Sequence, residues 1–206
     1  MKKLSILLII AGLCFLGFGG FQLVKSNLDQ NKSLAEAQSL LEESKKSTKQ
    51  KPNLRTDDST ETQLSSEDFY PSEGETVGIL HIPRLESDLP IIEGTHEDEL
   101  AKGVGHYAGT AYPQQSDQIV LSGHRDTVFR RMGELELGDI LTVQLPYGDF
   151  SYEIVETKIV DADDRTVIVP TAPDEVLTVT TCYPFSYVGN APDRYIITAL
   201  PVSKNE

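Results

Sequence analysis

Short runs of alternating apolar and polar residues recur through the C-terminal part of the chain. A period of two is typical of strands with one buried face, and glycine, proline and aspartate separate the runs. The pattern predicts strands at Val77–Ile82, Pro90–Ile92, Gln118–His124, Ile140–Leu145, Ser151–Val160, Val176–Cys182 and Tyr195–Pro201. It also predicts a hairpin turn at 147–149 and short helices around 98–103 and 127–135. Many short strands with few helices favour an all-β fold, either a barrel or a sandwich.

The N-terminal pattern is uniformly apolar instead. Residues 4–24 carry no charged side chain and follow Lys2 and Lys3. At ~1.5 Å per residue, a helix of this length spans roughly 30 Å, which matches the hydrocarbon core of a bilayer. A cleaved signal peptide is the alternative, but its apolar part is shorter, and no small-residue cleavage site directly follows Val24. We therefore expect an uncleaved transmembrane anchor with a cytoplasmic N-terminus.

A spacer is expected between this anchor and the strands. Apolar residues at helical spacing predict a helix in its first half, with Leu34, Ala37 and Leu41 on one face. Residues 47–66 contain few large apolar side chains and many lysines, threonines and serines, which is typical of a flexible segment. We therefore divide the chain into an anchor (1–25), a helical and disordered spacer (26–70) and a folded domain (71–206).

Acidic residues dominate the folded domain. Residues 71–206 hold 9 lysines and arginines against 23 aspartates and glutamates, whereas residues 1–70 hold 9 of each sign. Nucleic-acid binding depends on basic patches, so this balance argues against it. We interpret the excess as a solvated acidic surface on a domain that lies outside the membrane.

Three residues at predicted strand ends carry candidate chemistry. Cys182 is the only cysteine outside the apolar segment, His124 ends another strand, and Arg194 precedes a third. A thiolate can act as a nucleophile, an imidazole as acid and base, and a guanidinium as a donor to an oxyanion. Simpler interpretations are a buried thiol, a histidine paired with Asp126 and an arginine paired with Asp193. Spacing alone does not decide whether the three residues meet.

Several motifs resemble the sortases, which are membrane-anchored cysteine transpeptidases of Gram-positive surfaces. Thr178-Val179-Thr180-Thr181-Cys182 is similar to the family's Thr-Leu-x-Thr-Cys, with valine for leucine. Ser122-Gly123-His124-Arg125-Asp126-Thr127 and the following Arg194 also match, as do blocks at 78–83 and 105–111. The resemblance covers about residues 76–202. Cys182-Tyr183-Pro184-Phe185 and the residues after His124 are most similar to class D, with classes A and E as alternatives.

This resemblance implies a closed sortase-type β-barrel of about eight strands and a two-step acyl transfer. Cys182 would attack the Thr carbonyl of a Leu-Pro-x-Thr-Gly-like sorting signal, or an Ala-ending variant, and form a thioacyl-enzyme. An amine of a peptidoglycan precursor would then release the protein. His124 would move protons, Arg194 would bind the substrate backbone and the oxyanion, and Thr181 would contribute to the substrate pocket. The implied partners are exported proteins that bear a C-terminal sorting signal.

Two other functions use the same residues. A membrane-tethered cysteine peptidase would pass the thioester to water, and a non-catalytic binding module would leave Cys182 buried. No cofactor or metal is expected, because His81, His96 and His106 lack the spacing of metal ligands. Some class A sortases bind calcium between two acidic loops. Here the earlier loop offers only Asp117, so we interpret the acidic residues of the later one, 161–175, as a solvated surface.

Overall fold

A computed structural model describes residues 2–49, 65–186 and 189–202. Two α-helices are present in this part of the chain, α1 (Lys2–Lys49) and α2 (Glu97–Leu100), with 3-10 turns at Ser66–Asp68, Pro83–Leu85 and Met132–Glu134. The strands are β1 (Thr76–Ile82), β2 (Ser87–Glu93), β3 (Val104–His106), β4 (Gln118–Gly123), β5 (Ile140–Leu145), β6 (Gly148–Asp161), β7 (Val176–Tyr183) and β8 (Asp193–Pro201).

The strands close into a barrel in the order β1-β2-β3-β4-β7-β8-β6-β5. The pairs β2–β3 and β4–β7 are parallel, and the other neighbours are antiparallel. The predicted closed barrel is therefore confirmed, and β3 is the strand that the sequence pattern missed. Leu145 pairs with Gly148, so the hairpin turn consists of Pro146 and Tyr147, slightly earlier than predicted.

Alternate residues of the strands fill the barrel interior, as the period of two requires. In β5, for example, Leu141, Val143 and Leu145 are buried while their neighbours are partly exposed. Phe129 and Met132, from the segment between β4 and β5, are also fully buried in this core. That segment forms turns and a single 3-10 turn instead of the helix predicted at 127–135. Burying these two side chains determines its path more strongly than helix propensity does.

Helix α1 packs against the outside of the barrel. Ala37 and Leu41 are buried against Ile79 of β1, with Leu34 beside them. Polar contacts extend this interface: Thr76 donates to Glu36 (3.1 Å), Ser44 donates to the Pro146 carbonyl, and Lys45 lies 3.7 Å from Asp149. The helical half of the predicted spacer is thus docked on the domain. Residues 50–64, which include most of the predicted flexible half, lie outside the described residues.

The anchor predicted at residues 4–24 lies within α1 and is therefore helical. Across the described parts of the chain, no helix is both long and apolar enough to cross a membrane. Passage of this segment through a bilayer stays a prediction.

Substituting Ala37 tests whether α1 belongs to the folded domain. We expect Ala37→Glu to lower the free energy of unfolding by about 2 kcal/mol, because it places an unpaired carboxylate in an apolar interface. Urea denaturation of the full-length protein in detergent measures the change. Ala35→Glu is the matched control, since Ala35 is exposed two residues away. Equal effects of the two substitutions would show that the helix is not docked in solution.

Candidate active site

The ends of three neighbouring strands bring the predicted site residues together. Strand β4 runs parallel to β7, with Gly123 paired to Thr181, and His124 and Cys182 directly follow these two residues. Neighbouring strands lie about 5 Å apart, so the backbones of His124 and Cys182 are adjacent. On its other side, β7 is antiparallel to β8, and Cys182 pairs directly with Arg194. The cysteine therefore lies between the histidine and the arginine.

The alternation of side chains decides which face of the barrel the thiol occupies. Leu177 and Val179 of β7 point into the core, so Cys182, at the opposite parity, points outward. Ile197 of β8 points inward, which directs Arg194 outward as well. The side chain of His124 is 33% exposed and therefore accessible from solvent. Its Nε2 lies 3.5 Å from a carboxylate oxygen of Glu97, but the Glu97 side chain is exposed, so this contact adds little to the stability of the fold.

The loop between β6 and β7 forms a wall beside this face. The Gln118 amide donates to the Val167 carbonyl (2.8 Å) and accepts from the Val169 N–H (2.9 Å). Asp117 accepts from the backbone N–H of Thr171 (2.6 Å), and this contact, with further backbone N–H groups, lowers the pKa of its carboxyl group. These bonds hold the loop over the outer face of β4 and β7.

The β6–β7 loop covers only part of the outer face of β7 and does not cover the thiol. Thr178, on the same outer face of β7, is only 3% exposed, whereas Cys182 is partly exposed. The thiol is therefore accessible from solvent just beyond the part of this face that the β6–β7 loop covers.

Thr181 connects the two parallel strands beside the site. Its side chain is buried, and its hydroxyl donates to the Gly123 carbonyl at 2.7 Å. This bond holds β4 against β7 next to both His124 and Cys182. The predicted contribution of Thr181 to substrate binding stays a prediction, whereas its structural contact is clear.

Removing this hydroxyl should loosen the strand pair. We expect Thr181→Val to lower the free energy of unfolding by about 1–2 kcal/mol, because the buried Gly123 carbonyl loses a donor. Thermal unfolding monitored by circular dichroism measures the effect. Thr181→Ser keeps the hydroxyl and is the control. If the valine variant were no less stable than the serine variant, the hydrogen bond would not stabilise the strand pair.

The burial of Arg125 beside the site is a feature that the sequence did not predict. Arg125 belongs to the motif at 122–127, yet its side chain is only 5% exposed and donates to two carbonyls of the loop between β7 and β8. The only sequence signal was an arginine directly after a histidine at a strand end. Such a residue is ordinarily exposed, so the sequence alone does not indicate its burial.

Of the other histidines, one is buried in a hydrogen-bond network and two lie at the surface. His106 is buried, with Nδ1 2.6 Å from Glu93 and Nε2 3.0 Å from the Ala111 carbonyl. Tyr112 stacks on its ring and donates to Glu93, and burial raises the pKa of this tyrosine well above its usual value. His81 and His96 lie at the surface. Within the described residues, no three His, Cys, Asp or Glu side chains are arranged to hold a metal ion.

Comparison with known proteins gives consistent results. The family model of the sortase domain matches residues 80–202. The chain is 52% identical to Sortase D of Bacillus subtilis (strain 168) over 200 residues, which cover 96% of this chain and 97% of that protein.

Two solved structures show the same barrel. A sortase D5 transpeptidase of Clostridium perfringens superposes with a TM-score of 0.65 at 23% identity, covering 85% of this chain and 99% of that one. Sortase C1 of Streptococcus suis gives a TM-score of 0.58 at 26% identity, covering 63% of this chain and 74% of its own. The region that the family model matches, residues 80–202, contains the ends of β4 and β7 and the start of β8, where His124, Cys182 and Arg194 lie. The chain therefore belongs to the sortase family, as a sortase-type cysteine transpeptidase most similar to class D.

Proposed function

We propose that this protein cleaves a Leu-Pro-x-Thr-Gly-like sorting signal between Thr and Gly, or Ala, and joins the new carboxyl end to a peptidoglycan amine. The observation that supports this proposal most directly is the strand register that sets Cys182 between His124 and Arg194. A nucleophile, a proton carrier and a fixed cation on one accessible face suit acyl transfer. The partly exposed Cys182 thiol, beyond the part of the face that the β6–β7 loop covers, is accessible to a peptide.

In the first step, the Cys182 thiolate attacks the carbonyl carbon of the Thr residue. The C–S bond forms, the peptide C–N bond breaks, and His124 donates a proton to the departing amine. The product is a thioacyl-enzyme and a free C-terminal fragment. This division into two acyl transfers is the usual advantage of a covalent intermediate.

In the second step, the acceptor amine attacks the thioester carbonyl. A new C–N bond forms, the C–S bond breaks, and the proton lost by the amine passes to His124, which is then ready for the next cycle. Arg194 supplies N–H donors to the substrate backbone and to the oxyanion of each tetrahedral intermediate. Thr181 supports the substrate pocket indirectly, because its hydroxyl holds β4 against β7 beside His124 and Cys182.

We also propose that the enzyme acts at the outer surface of the cell membrane. Residues 4–24 would cross the bilayer with the N-terminus in the cytoplasm, and residues 71–206 would form the extracellular catalytic domain. The uncharged composition of residues 4–24 supports this arrangement. Cell fractionation tests it: the protein should stay in the membrane pellet after a high-salt wash and enter solution only with detergent. Release by salt alone would contradict it.

Peptide substrates test the proposed reaction. The full-length protein is incubated with peptides that contain Leu-Pro-x-Thr-Gly or Leu-Pro-x-Thr-Ala, with a peptide amine as acceptor, and products are identified by mass spectrometry. The proposal predicts cleavage after Thr and a ligated product whose yield rises with acceptor concentration. Release of the free acid alone, despite abundant acceptor, would identify a peptidase. Absence of cleavage by the wild-type protein across the library would favour a binding module.

A further inference from the structure

The most unusual charged group near the site is the Arg125 guanidinium. Its side chain is only 5% exposed. Oδ1 of the Asp126 carboxylate lies 3.5 Å from Nε of Arg125, but the Asp126 side chain is 72% exposed, so this carboxylate does not share the burial of the guanidinium. One terminal nitrogen donates to the Pro184 carbonyl and the other to the Gly189 carbonyl, both at 2.9 Å. A buried cation needs such charge-assisted hydrogen bonds, because burial removes its hydration.

The two acceptors lie on the connection between β7 and β8. Pro184 follows Cys182 by two residues, and Gly189 precedes Arg194 by five. A single side chain thus binds this connection at two points, while its own backbone directly follows His124. The planar fork of arginine suits two separate carbonyls, which the single ammonium of lysine cannot bind in the same way.

The strand pairing that holds Cys182 and Arg194 in place does not extend to His124. Cys182 and Arg194 are held opposite each other by the β7–β8 ladder. His124 lies one residue beyond Gly123, the last paired residue of β4. Its carbonyl accepts from the N–H groups of Thr127 (3.3 Å) and Phe129 (3.0 Å), which bind it to its own segment and not to β7. Arg125 supplies a connection from this unpaired position to the loop that follows the cysteine.

We propose that Arg125 is a positioning residue that sets the distance between the His124 imidazole and the Cys182 thiol. This inference rests on the proposed function, in which these two groups exchange a proton. Without the guanidinium, the backbone after β4 would lose its two side-chain hydrogen bonds to the β7–β8 connection, and the imidazole would be held less closely beside the thiol. Proton transfer would then become slower, whereas peptide binding would change little.

Three variants in a Cys14→Ala background, in which Cys182 is the only thiol, test this role. Arg125→Met removes both hydrogen bonds, and Arg125→Lys keeps the charge with a single donor group. Arg130→Met is the matched control, because Arg130 lies in the same segment but is exposed, and its guanidinium donates to the Asp126 carbonyl within its own segment. Thermal unfolding of each variant establishes the fraction that is folded.

Turnover of a sorting-signal peptide is the first measurement. We expect Arg125→Met to lower kcat by about 10- to 100-fold, as misplacement of a reacting group does, with KM changed by less than about three-fold. Arg125→Lys should lie between this variant and the wild type, and Arg130→Met should match the wild type. In a His124→Ala background, Arg125→Met should have almost no further effect. An equal loss in both backgrounds would overturn the inference, because Arg125 would then act without His124.

Alkylation of Cys182 by iodoacetamide is the second measurement and requires no substrate. The rate is followed between about pH 5 and 8, where histidine titrates. The difference between the wild-type and His124→Ala profiles gives the contribution of His124 to the alkylation rate. We expect this contribution to be lost in Arg125→Met and kept in Arg130→Met. Glu97, which lies beside the imidazole, is unchanged throughout.

The two measurements separate the inference from the function on which it rests. If the wild-type protein transferred no acyl group, the proposed function would fail, while the alkylation profiles would still report on positioning. If Arg125→Met kept the wild-type profile, the positioning role would be wrong even in an active enzyme. Should the methionine variant not fold, the same criteria apply to Arg125→Lys.

Discussion

Replacing Cys182 by alanine is expected to reduce acyl transfer by on the order of 10⁴-fold or more, the scale seen when an enzyme loses its nucleophile. No other thiol can take its place, because Cys14 lies in α1, far along the chain from the strand ends. Single-turnover assays with a sorting-signal peptide measure the loss. Stability should change little, since Cys182 lies at a strand end and is partly exposed.

Cys14→Ala is the matched control for this substitution. It removes the only other thiol of the chain and should leave the rate unchanged. If Cys182→Ala retained more than a few per cent of the activity, or if Cys14→Ala were inactive, the assignment of the nucleophile would be wrong.

Replacing Arg194 by alanine is the substitution with the second-largest expected effect. We expect kcat/KM to fall by about 10²- to 10³-fold, which is typical of losing an oxyanion donor. Arg194 pairs with Cys182 across the β7–β8 ladder, and its guanidinium donates to the carbonyl of Asp193 (3.0 Å). Steady-state kinetics with the best peptide of the library measure the change.

Two further variants show whether the loss comes from a specific donor or from a loss of positive charge. Arg194→Lys keeps the charge but loses the planar fork, so we expect only partial recovery. Arg165→Ala removes an exposed arginine from the β6–β7 loop and serves as the control. If Arg165→Ala cost as much as Arg194→Ala, general loss of positive charge, and not a specific donor, would explain the effect.

The strands of the barrel could largely be predicted, because each has one buried face and thus a period of two. Strand β3 escaped prediction because it has only three residues with Gly105 at its centre, too short for any alternation to appear. The helix predicted at 127–135 is wrong for a different reason. Helix-compatible spacing there reflects two side chains, Phe129 and Met132, that enter the barrel from a series of turns.

The helix at the N-terminal side of the domain could be predicted, but its docking could not. Leu34, Ala37 and Leu41 form an apolar face, which indicates that something covers them. Their partner, Ile79, lies on the outer face of β1, and an outward apolar residue in a short strand is not distinctive in sequence. An apolar stripe predicts burial without identifying what it is buried against.

The site residues could be named from the sequence, whereas their meeting depended on topology. The Thr181–Gly123 hydrogen bond joins residues 58 positions apart, and only the parallel pairing of β4 with β7 makes them neighbours. The burial of Arg125 depends in turn on the path of the β7–β8 connection. Neither relation produces a local pattern, so recognition of family motifs supplied what periodicity could not.

The proposed reaction requires that a substrate acyl group become bonded to the sulfur of Cys182. Mass spectrometry of the protein after brief incubation with a sorting-signal peptide, without acceptor and followed by acid quenching, tests it directly. We expect an adduct equal to the peptide portion ending in Thr, located on Cys182 by fragmentation and removed by hydroxylamine. Peptide cleavage with no adduct, or with the acyl group on another residue, would contradict it.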